Sequence, residues 1–372
     1  MKSNCGYYQV GSKKFFNKNS AIYEASTTKK EISWHFHDNV FDKCLSKTKL
    51  GNKNLNTLYK ERAQQLRDSY DYLILNYSGG PDSHNILMTF INNNIRLDEI
   101  HVKYSNSVDK KIYTPNRIEL GAENIHSEYD YVIKPNLEKL KITNPEIKID
   151  IHDVFENIPN LSYDTFINAP SHYLGAFELL RQSKYSNSIN IQLDKGKKVA
   201  DIYGIDKPIL FVKDNFFYTI FIDTTVSVAG TRHEHIELFY WTPDFPEIVL
   251  EQAFAVYKFF INNPSMIPII DLNLRDPNDL HRIELLRKIA IKNIYTTFDL
   301  NTFQVCKPTA FSISGRSRDK YYINNPLFAD YLTKYNHYAK TYGNSLDKKY
   351  FDINYMLNKT FYSKWHKIGE LN

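Results

Sequence analysis

Cysteine is scarce and long apolar runs are absent. Among 372 residues only Cys5, Cys44 and Cys306 carry thiols. They form no CxxC pair and no zinc spacing, which excludes a disulfide-stapled scaffold and a cysteine zinc site and fits a reducing compartment. No stretch approaches the ~18 apolar residues that span a bilayer. The beginning, MKSNCGYY, lacks the apolar core of a signal peptide. The expectation is a soluble, cytoplasmic protein. Charge of one sign is also lacking: 47 basic residues face 42 acidic ones, a net +5 spread along the chain. Basic clusters such as Lys195–Lys198 and Lys348-Lys349 read as solvated faces, and charge alone selects neither nucleic acid nor an anionic substrate. There is no internal repeat and no low-complexity linker, so composition announces no domain boundary. Aromatics, by contrast, are abundant, with 28 Tyr and 23 Phe. They read as an aromatic-rich core rather than a base-stacking surface. With 42% hydrophobic residues, the chain can bury the core of one large domain or two ordinary ones.

The most informative stretch runs from Tyr72 to Leu87, YLILNYSGGPDSHNIL. Leu73, Ile74 and Leu75 form a short apolar run that stops at Ser78-Gly79-Gly80, which suits a buried parallel strand. After Pro81 the apolar spacing becomes helical, with Ile86, Leu87 and Phe90 on one face. Proline suits a first helical turn, where its missing N–H costs little. The order is strand, glycine turn, helix N-terminus. Free N–H groups and the helix dipole make such a turn a ready anion site, and glycines let a ligand approach the backbone. The alternative is a turn that only connects strand to helix.

This stretch resembles the SGGxDS loop of the PP-loop ATP pyrophosphatase (adenine nucleotide alpha-hydrolase-like) superfamily, through Ser78, Gly79, Gly80, Asp82 and Ser83, with Pro81 at the variable position. The resemblance implies a doubly wound, mainly parallel α/β sheet. It implies a loop that holds the pyrophosphate of ATP, and cleavage between the α and β phosphates. It also implies ATP and Mg²⁺ as cofactors, with Asp82 as the metal contact. The HFHD, GIDKP and FYWTPDFPE stretches also resemble bacteriophage-type members of the superfamily whose function is unassigned.

Around that centre, Tyr7–Phe16, Ala21–Thr27 and Ile32–Phe36 read as a small α+β extension over residues 1–60, and Leu55–Tyr70 as a helix leading into the central strand. His35 and His37 form an HxH pair, read either as the start of a metal site or as two surface histidines. Ile100, Val102 and Tyr104 alternate as a second strand. In the resembling family the end of this strand lies near the adenosine, which makes Tyr104, Ser105 and Asn106 candidates for base or ribose contacts. Pro115–His126 reads as a helix and Lys148–Val154 as a third strand. Asp150 and Asp153 lie near its end, where ligands bind in such sheets. Asp153 is read as orienting substrate or Mg²⁺, or as capping the next helix. Ser171–Leu180 reads as helical.

Gly204-Ile205-Asp206-Lys207-Pro208 follows another strand. It reads either as a plain turn or as a loop holding a catalytic Lys207, with Asp206 beside it. Fixed lysines neutralise phosphate charge during nucleotidyl transfer. Ile209–Val212 and Phe216–Ile222 read as a hairpin across Lys213-Asp214-Asn215, outside the parallel sheet. His233 and His235 form a second HxH, and Arg232 and Glu237 are further active-site candidates. Helices are expected over Pro246–Phe260 and Leu280–Tyr295. A Ser/Gly/Arg loop from Ser312 to Lys320 is either a phosphate-binding or a plain polar loop. The ATP-binding core is placed at 61–225 and a mainly helical region at 226–372.

Absences sort the chemistries of the family. Cys306 lies in QVCKPT, not in the ECGxH context of sulfonucleotide reductases. The paired cysteines of sulfur-inserting tRNA enzymes and the zinc cysteines of deazaguanine nitrile synthases are missing. Position 2 is Lys, not the nucleophilic cysteine of glutamine-using asparagine synthetases. What remains is adenylation of a carboxylate or carbonyl oxygen, followed by attack of ammonia or an amine, on a small-molecule or nucleic-acid acceptor. The alternatives are a nucleic-acid or nucleobase modification enzyme of the same class, or a non-catalytic nucleotide-binding protein.

Overall fold

The computed structural model describes residues 5–104, 129–169, 175–227, 235–271, 280–295, 298, 319–347, 349 and 359–371, with backbone alone at 131, 280–284, 320 and 321. The chain opens with β1 (Tyr7–Val10), β2 (Lys13–Phe15), α1 (Lys18–Thr28) and β3 (Ile32–His35), and the three strands form an antiparallel sheet in the order β2-β1-β3. Two helices follow, α2 (Asp38–Lys47) and α3 (Leu55–Ser69). Asn17 and Asn54 cap α1 and α3, accepting backbone N–H groups of the first turns.

The centre is a five-stranded, wholly parallel sheet. Its first three strands are β4 (Tyr72–Asn76), β5 (Glu99–Tyr104) and β6 (Lys148–Asp153), with α4 (Pro81–Asn92) between β4 and β5 and α5 (Lys134–Thr143) before β6. After α6 (Tyr163–Asn168), α7 (Ala176–Gln182) and α8 (Ser188–Asp194) come β7 (Val199–Tyr203) and, later, β10 (Ile236–Leu238). The order across the sheet is β10-β7-β4-β5-β6. The chain therefore winds outward from β4 to β6, returns to the other side of β4 with β7, and winds outward again.

Helices cover both faces. Strand alternation sends Leu73 and Leu75 of β4 to one side, into the main core with Ile86, Leu87 and Phe90 of α4. Ile74 points the other way and packs with Val199, Tyr72 and Ile189 of α8. This is a doubly wound α/β arrangement.

Between β7 and β10 lie β8 (Ile209–Lys213), β9 (Phe216–Ile220) and α9 (Asp223–Ser227). The hairpin turns on two residues, Asp214 and Asn215, at φ 49° and 63°. Two-residue hairpins with both φ positive match the strand twist, and Asp and Asn tolerate that conformation. After α10 (Glu247–Asn262), α11 (Leu280–Ile294) and the helix Pro326–Ser345, the chain ends in β11 (His366–Glu370). β11 joins the hairpin in a second antiparallel sheet, in the order β11-β9-β8.

The hydrophobic core is continuous across the expected boundaries at 60 and 225. α3 begins at Leu55, and its Leu58, Ala63 and Leu66 belong to the main core. β10, beyond 225, is the edge strand of the parallel sheet. Ring packing of Phe36 and Phe41 on Phe221, and of Phe221 on Trp241 and His366, ties the first and last segments together. No helix among the described residues is long and apolar enough to cross a membrane.

A buried ion pair fastens the N-terminal sheet. Lys18 Nζ lies 2.9 Å from Asp223 Oδ2, both side chains 1% exposed. Tyr8 Oη donates to the same oxygen at 2.7 Å, and the Phe361 N–H donates to Oδ1 at 2.9 Å. Removing one member of such a pair leaves the other charge buried and unpaired. Asp223→Ala is expected to lower stability by about 3–5 kcal/mol in urea unfolding. A loss below about 1 kcal/mol, the range of exposed pairs, would show that the pair does not fasten the fold.

Candidate functional site

The loops after β4 and β7 leave the carboxyl ends of adjacent strands, at the point where the winding reverses. Ligands of open α/β sheets bind in the crevice there. After β4 the chain passes through Ser78 and Gly79 to Gly80, which caps α4, with Pro81 in the first turn. Gly79 has φ +70°, and a Cβ on it would sit 2.7 Å from Ile133 Cγ1. Gly80, at φ −73° and ψ 163°, has ordinary extended backbone. Only the first glycine of the pair is thus demanded by conformation. The Ser83 hydroxyl closes the loop, accepting from Ser78 N at 3.2 Å and donating to the Gly80 carbonyl at 3.2 Å.

The loop after β7 lies against this turn. A Cβ on Gly204 would meet Asp82 C and Ser83 N at 3.1 Å, so a bare backbone is what allows the approach. Three residues on, Lys207 Nζ donates to Asp82 Oδ1 at 2.8 Å and Oδ2 at 2.6 Å, and lies 2.8 Å from Asp206 Oδ1. Burial alone would lower the pKa of Lys207, but the Asp206 and Asp82 carboxylates outweigh it and hold the ammonium charged. Tyr295 Oη donates to Asp82 Oδ1 at 2.7 Å, and Tyr240 Oη donates to the Asp82 carbonyl at 2.9 Å. Burial pushes both phenols well above their ordinary pKa, so they stay donors. The structure brings Asp82, Asp206 and Lys207 together. Both oxygens of Asp82, the expected Mg²⁺ contact, are engaged by Lys207.

Beside the loops is a cleft of about 130 Å³, lined among others by Asn76, Ser78, Ser83, Lys103, Arg181 and Tyr203. Burial pulls Lys103 down to about 8, against the pull of Asp201. Burial likewise lifts Asp201 to about 6, with Lys103 and a 2.6 Å hydrogen bond from Asn76 Nδ2 opposing. Perturbed titratable groups around a cleft mark functional sites. Arg181 comes from α7, where Glu178 accepts from its Nε at 2.9 Å. The start of α7 is held by Asp319, whose carboxylate accepts the N–H groups of Ala176 and Phe177 at 3.1 and 2.9 Å.

Other expectations land elsewhere. Tyr104 does not line this cleft. Strand alternation puts it on the opposite face from Lys103, stacked on Tyr129 with ring centroids 3.8 Å apart. Ser105 and Asn106 lie outside the described residues, as do Arg232, His233, Cys306 and residues 115–126 and 312–318. His35 and His37 do not share a strand face: β3 ends at His35, and His37 turns at φ 53° ahead of α2. Glu237 pairs with Arg62 at 2.7 Å, deep between β10 and α3. Asp153 caps the turn that follows its strand, accepting from Phe155 N at 3.0 Å, not a helix. Asp150 sits instead beside His101 and His152. Lys103, Arg181, Asp201, Tyr240 and Tyr295 were not legible as site residues. The available signal was the alternation of His101 and Lys103 along β5.

The chain matches no protein-family model, no curated protein and no solved structure.

Asp201 gives the site a pH signature. Its native pKa, about 6, lies above the ordinary 3.8, and the side chain is 4% exposed. A raised carboxyl pKa contributes stability that is complete below pH ~4 and lost as pH rises through ~6. Asp201→Asn keeps a neutral side chain at every pH. It is expected to gain up to about 3 kcal/mol relative to the natural chain between pH 4 and 7. Urea unfolding of both proteins at several pH values checks this. A difference that stays constant across that range refutes the shift.

Proposed function

We propose that the chain is an ATP-dependent enzyme that forms AMP and pyrophosphate. It adenylates a carboxylate or carbonyl oxygen of a small-molecule or nucleic-acid acceptor for attack by ammonia or an amine, and belongs with the PP-loop superfamily that its SGGPDS loop resembles. The observation that carries this reading is the meeting of that loop, at a helix N-terminus, with the charged ammonium of Lys207 at the reversal of a parallel sheet.

In this reading the N–H groups at the start of α4 and the α4 dipole receive phosphate oxygens. The bare backbone at Gly79 lets the loop turn at φ +70° with Ile133 packed against it. Lys103 supplies positive charge at the cleft wall, and Arg181, paired with Glu178, presents N–H donors there. Lys207 stabilises charge that builds on the α phosphate and the leaving pyrophosphate, held in place by Asp206 and Asp82. Asp201, with its pKa near 6, sits close enough to neutrality to exchange protons. It accepts a hydrogen bond from Asn76, which lines the cleft. The carboxylates around the loop are committed to Lys207 and do not make a ready Mg²⁺ site, so none is assigned to the ion.

Incubation of the purified chain with α-labelled ATP and a metabolite extract is expected to give AMP and pyrophosphate. ADP as the nucleotide product would sink the proposal. Lys207→Ala is expected to fold and to bind ATP with a modest loss, while AMP formation drops ~10²–10³-fold. Lys207→Arg, which keeps the charge, should recover part of the rate. Equal turnover in Lys207→Ala and the natural chain would remove Lys207 from the chemistry.

A further inference from the structure

The parallel sheet carries polar side chains on the face toward α8, and three on β5 and β6 are unaccounted for. His101 of β5 is in register with Asp150 of β6, and Lys103 with His152. Neighbours in register on parallel strands share a face, as do residues two apart on one strand. His101, Asp150 and His152 therefore project to the same side. One ligand atom from each lies within 4.8 Å of the other two, and the imidazoles meet edge to face at 5.7 Å. His101 is 1% exposed.

His101 Nε2, Asp150 Oδ2 and His152 Nδ1 are all buried and have no hydrogen-bond partner among the described residues. Other carboxylates of this face are matched. Glu99 takes Tyr72 Oη at 3.0 Å and Lys148 Nζ at 3.2 Å, and Asp201 takes Asn76. An unmade hydrogen bond at a buried polar atom costs about 1–3 kcal/mol. Three such orphans on residues that cluster this closely call for a shared partner.

We propose that His101, Asp150 and His152 bind a divalent transition-metal ion. The proposal rests on this face of the sheet and is independent of the nucleotide reading. A carboxylate oxygen only accepts, and in the tautomers that put the proton on its other nitrogen each imidazole offers a lone pair at its orphan nitrogen. A metal ion satisfies three such atoms at once, whereas a water molecule has two protons to give. With metal–nitrogen distances of about 2.0–2.1 Å, tetrahedral ligand atoms stand about 3.3 Å apart, within reach of small rotations about χ1 and χ2. Two imidazoles and a carboxylate suit Zn²⁺, Co²⁺ or Fe²⁺ and discriminate against Mg²⁺, which takes oxygen ligands. Structural zinc sites are closed by four protein ligands, while three leave a position open. His101 also lines the cleft, so the ion would lie beside it.

The full chain, stripped with a chelator and dialysed without nucleotide against Zn²⁺ or Co²⁺ in excess Mg²⁺, is expected to retain one transition-metal ion per chain. The Co²⁺ form should show absorption bands of nitrogen ligation. Asp150→Asn and His152→Gln should each weaken binding at least about 10-fold while circular dichroism stays native. His35→Gln, on the other sheet, should bind as the natural chain does. If one variant of the cluster fails to fold, the other decides. Three results overturn the site: no ion retained at saturating metal, binding unchanged in the folded cluster variants, or loss of binding in His35→Gln. Because nucleotide is absent, a failure here leaves the ATP proposal standing, and an ADP product there leaves the metal site standing.

Discussion

β4 and β7 pair in parallel from Tyr72 opposite Val199 to Asn76 opposite Tyr203, so the two strands finish level. Each then leaves the sheet through a loop that contains glycine. Because the strands are neighbours at the reversal of winding, the loops emerge side by side although 125 residues separate Asp82 from Lys207. Backbone contact at Gly204 closes the remaining gap, and the ion pair follows. The tyrosines around Asp82 depend on the same placement. Tyr240 follows β10, which pairs with β7, and Tyr295 follows α11, which packs on α10.

The sheet divides its labour between faces. Parallel strands buried on both sides usually read as continuous apolar runs. β4 does so, but β5 and β6 do not, since Glu99, His101, Asp150 and His152 interrupt them. Burying these groups opposes folding unless they are paired. Apolar packing of Leu73, Leu75, Ile100 and Val102 on the opposite face supplies the burial that offsets this. On the α8 side Glu99 opens β5 in register with Ile74, and His101 and Lys103 follow it toward the carboxyl end, where the cleft lies, while Ile74 and Val199 pack against α8.

How much of this was legible in the sequence follows from the range of the interactions. The Ser78–Ser83 turn is a local event, fixed by an apolar run, a glycine that needs φ +70° and a proline in a first helical turn. It was therefore readable without knowing any neighbour. Lys207 was readable as a loop lysine, but its contact with Asp82 depends on strand order, which no local pattern encodes. Tyr104 stands one residue of alternation away from the cleft face. Lys103 is the side chain on the cleft face, and Val102 and Tyr104 serve the other side. β10, with three residues, and β11, with a buried histidine at its start and exposed lysine and glutamate along it, are too short and too polar to announce themselves. The site tyrosines are hidden by abundance. Among 28 tyrosines, nothing in the sequence marks Tyr240 and Tyr295 as the two that reach Asp82.

Charge balance around the cleft bears on the proposed function. Lys207 is shared by Asp82 and Asp206, and Arg181 is held by Glu178. These cations are already neutralised, so their role toward an incoming anion is orientation more than attraction. Lys103 differs. No carboxylate lies within ion-pair distance of its ammonium among the described residues, its closest polar contact being Tyr203 Oη at 3.5 Å. Burial makes its charge costly, which is why its pKa falls to about 8. Bringing an anion to it would lower that cost and raise the pKa, so binding and protonation at Lys103 favour each other. In the proposed function, the ammonium of Lys103 and the nearby N-terminus of α4 would together favour a phosphate-bearing ligand over a neutral one.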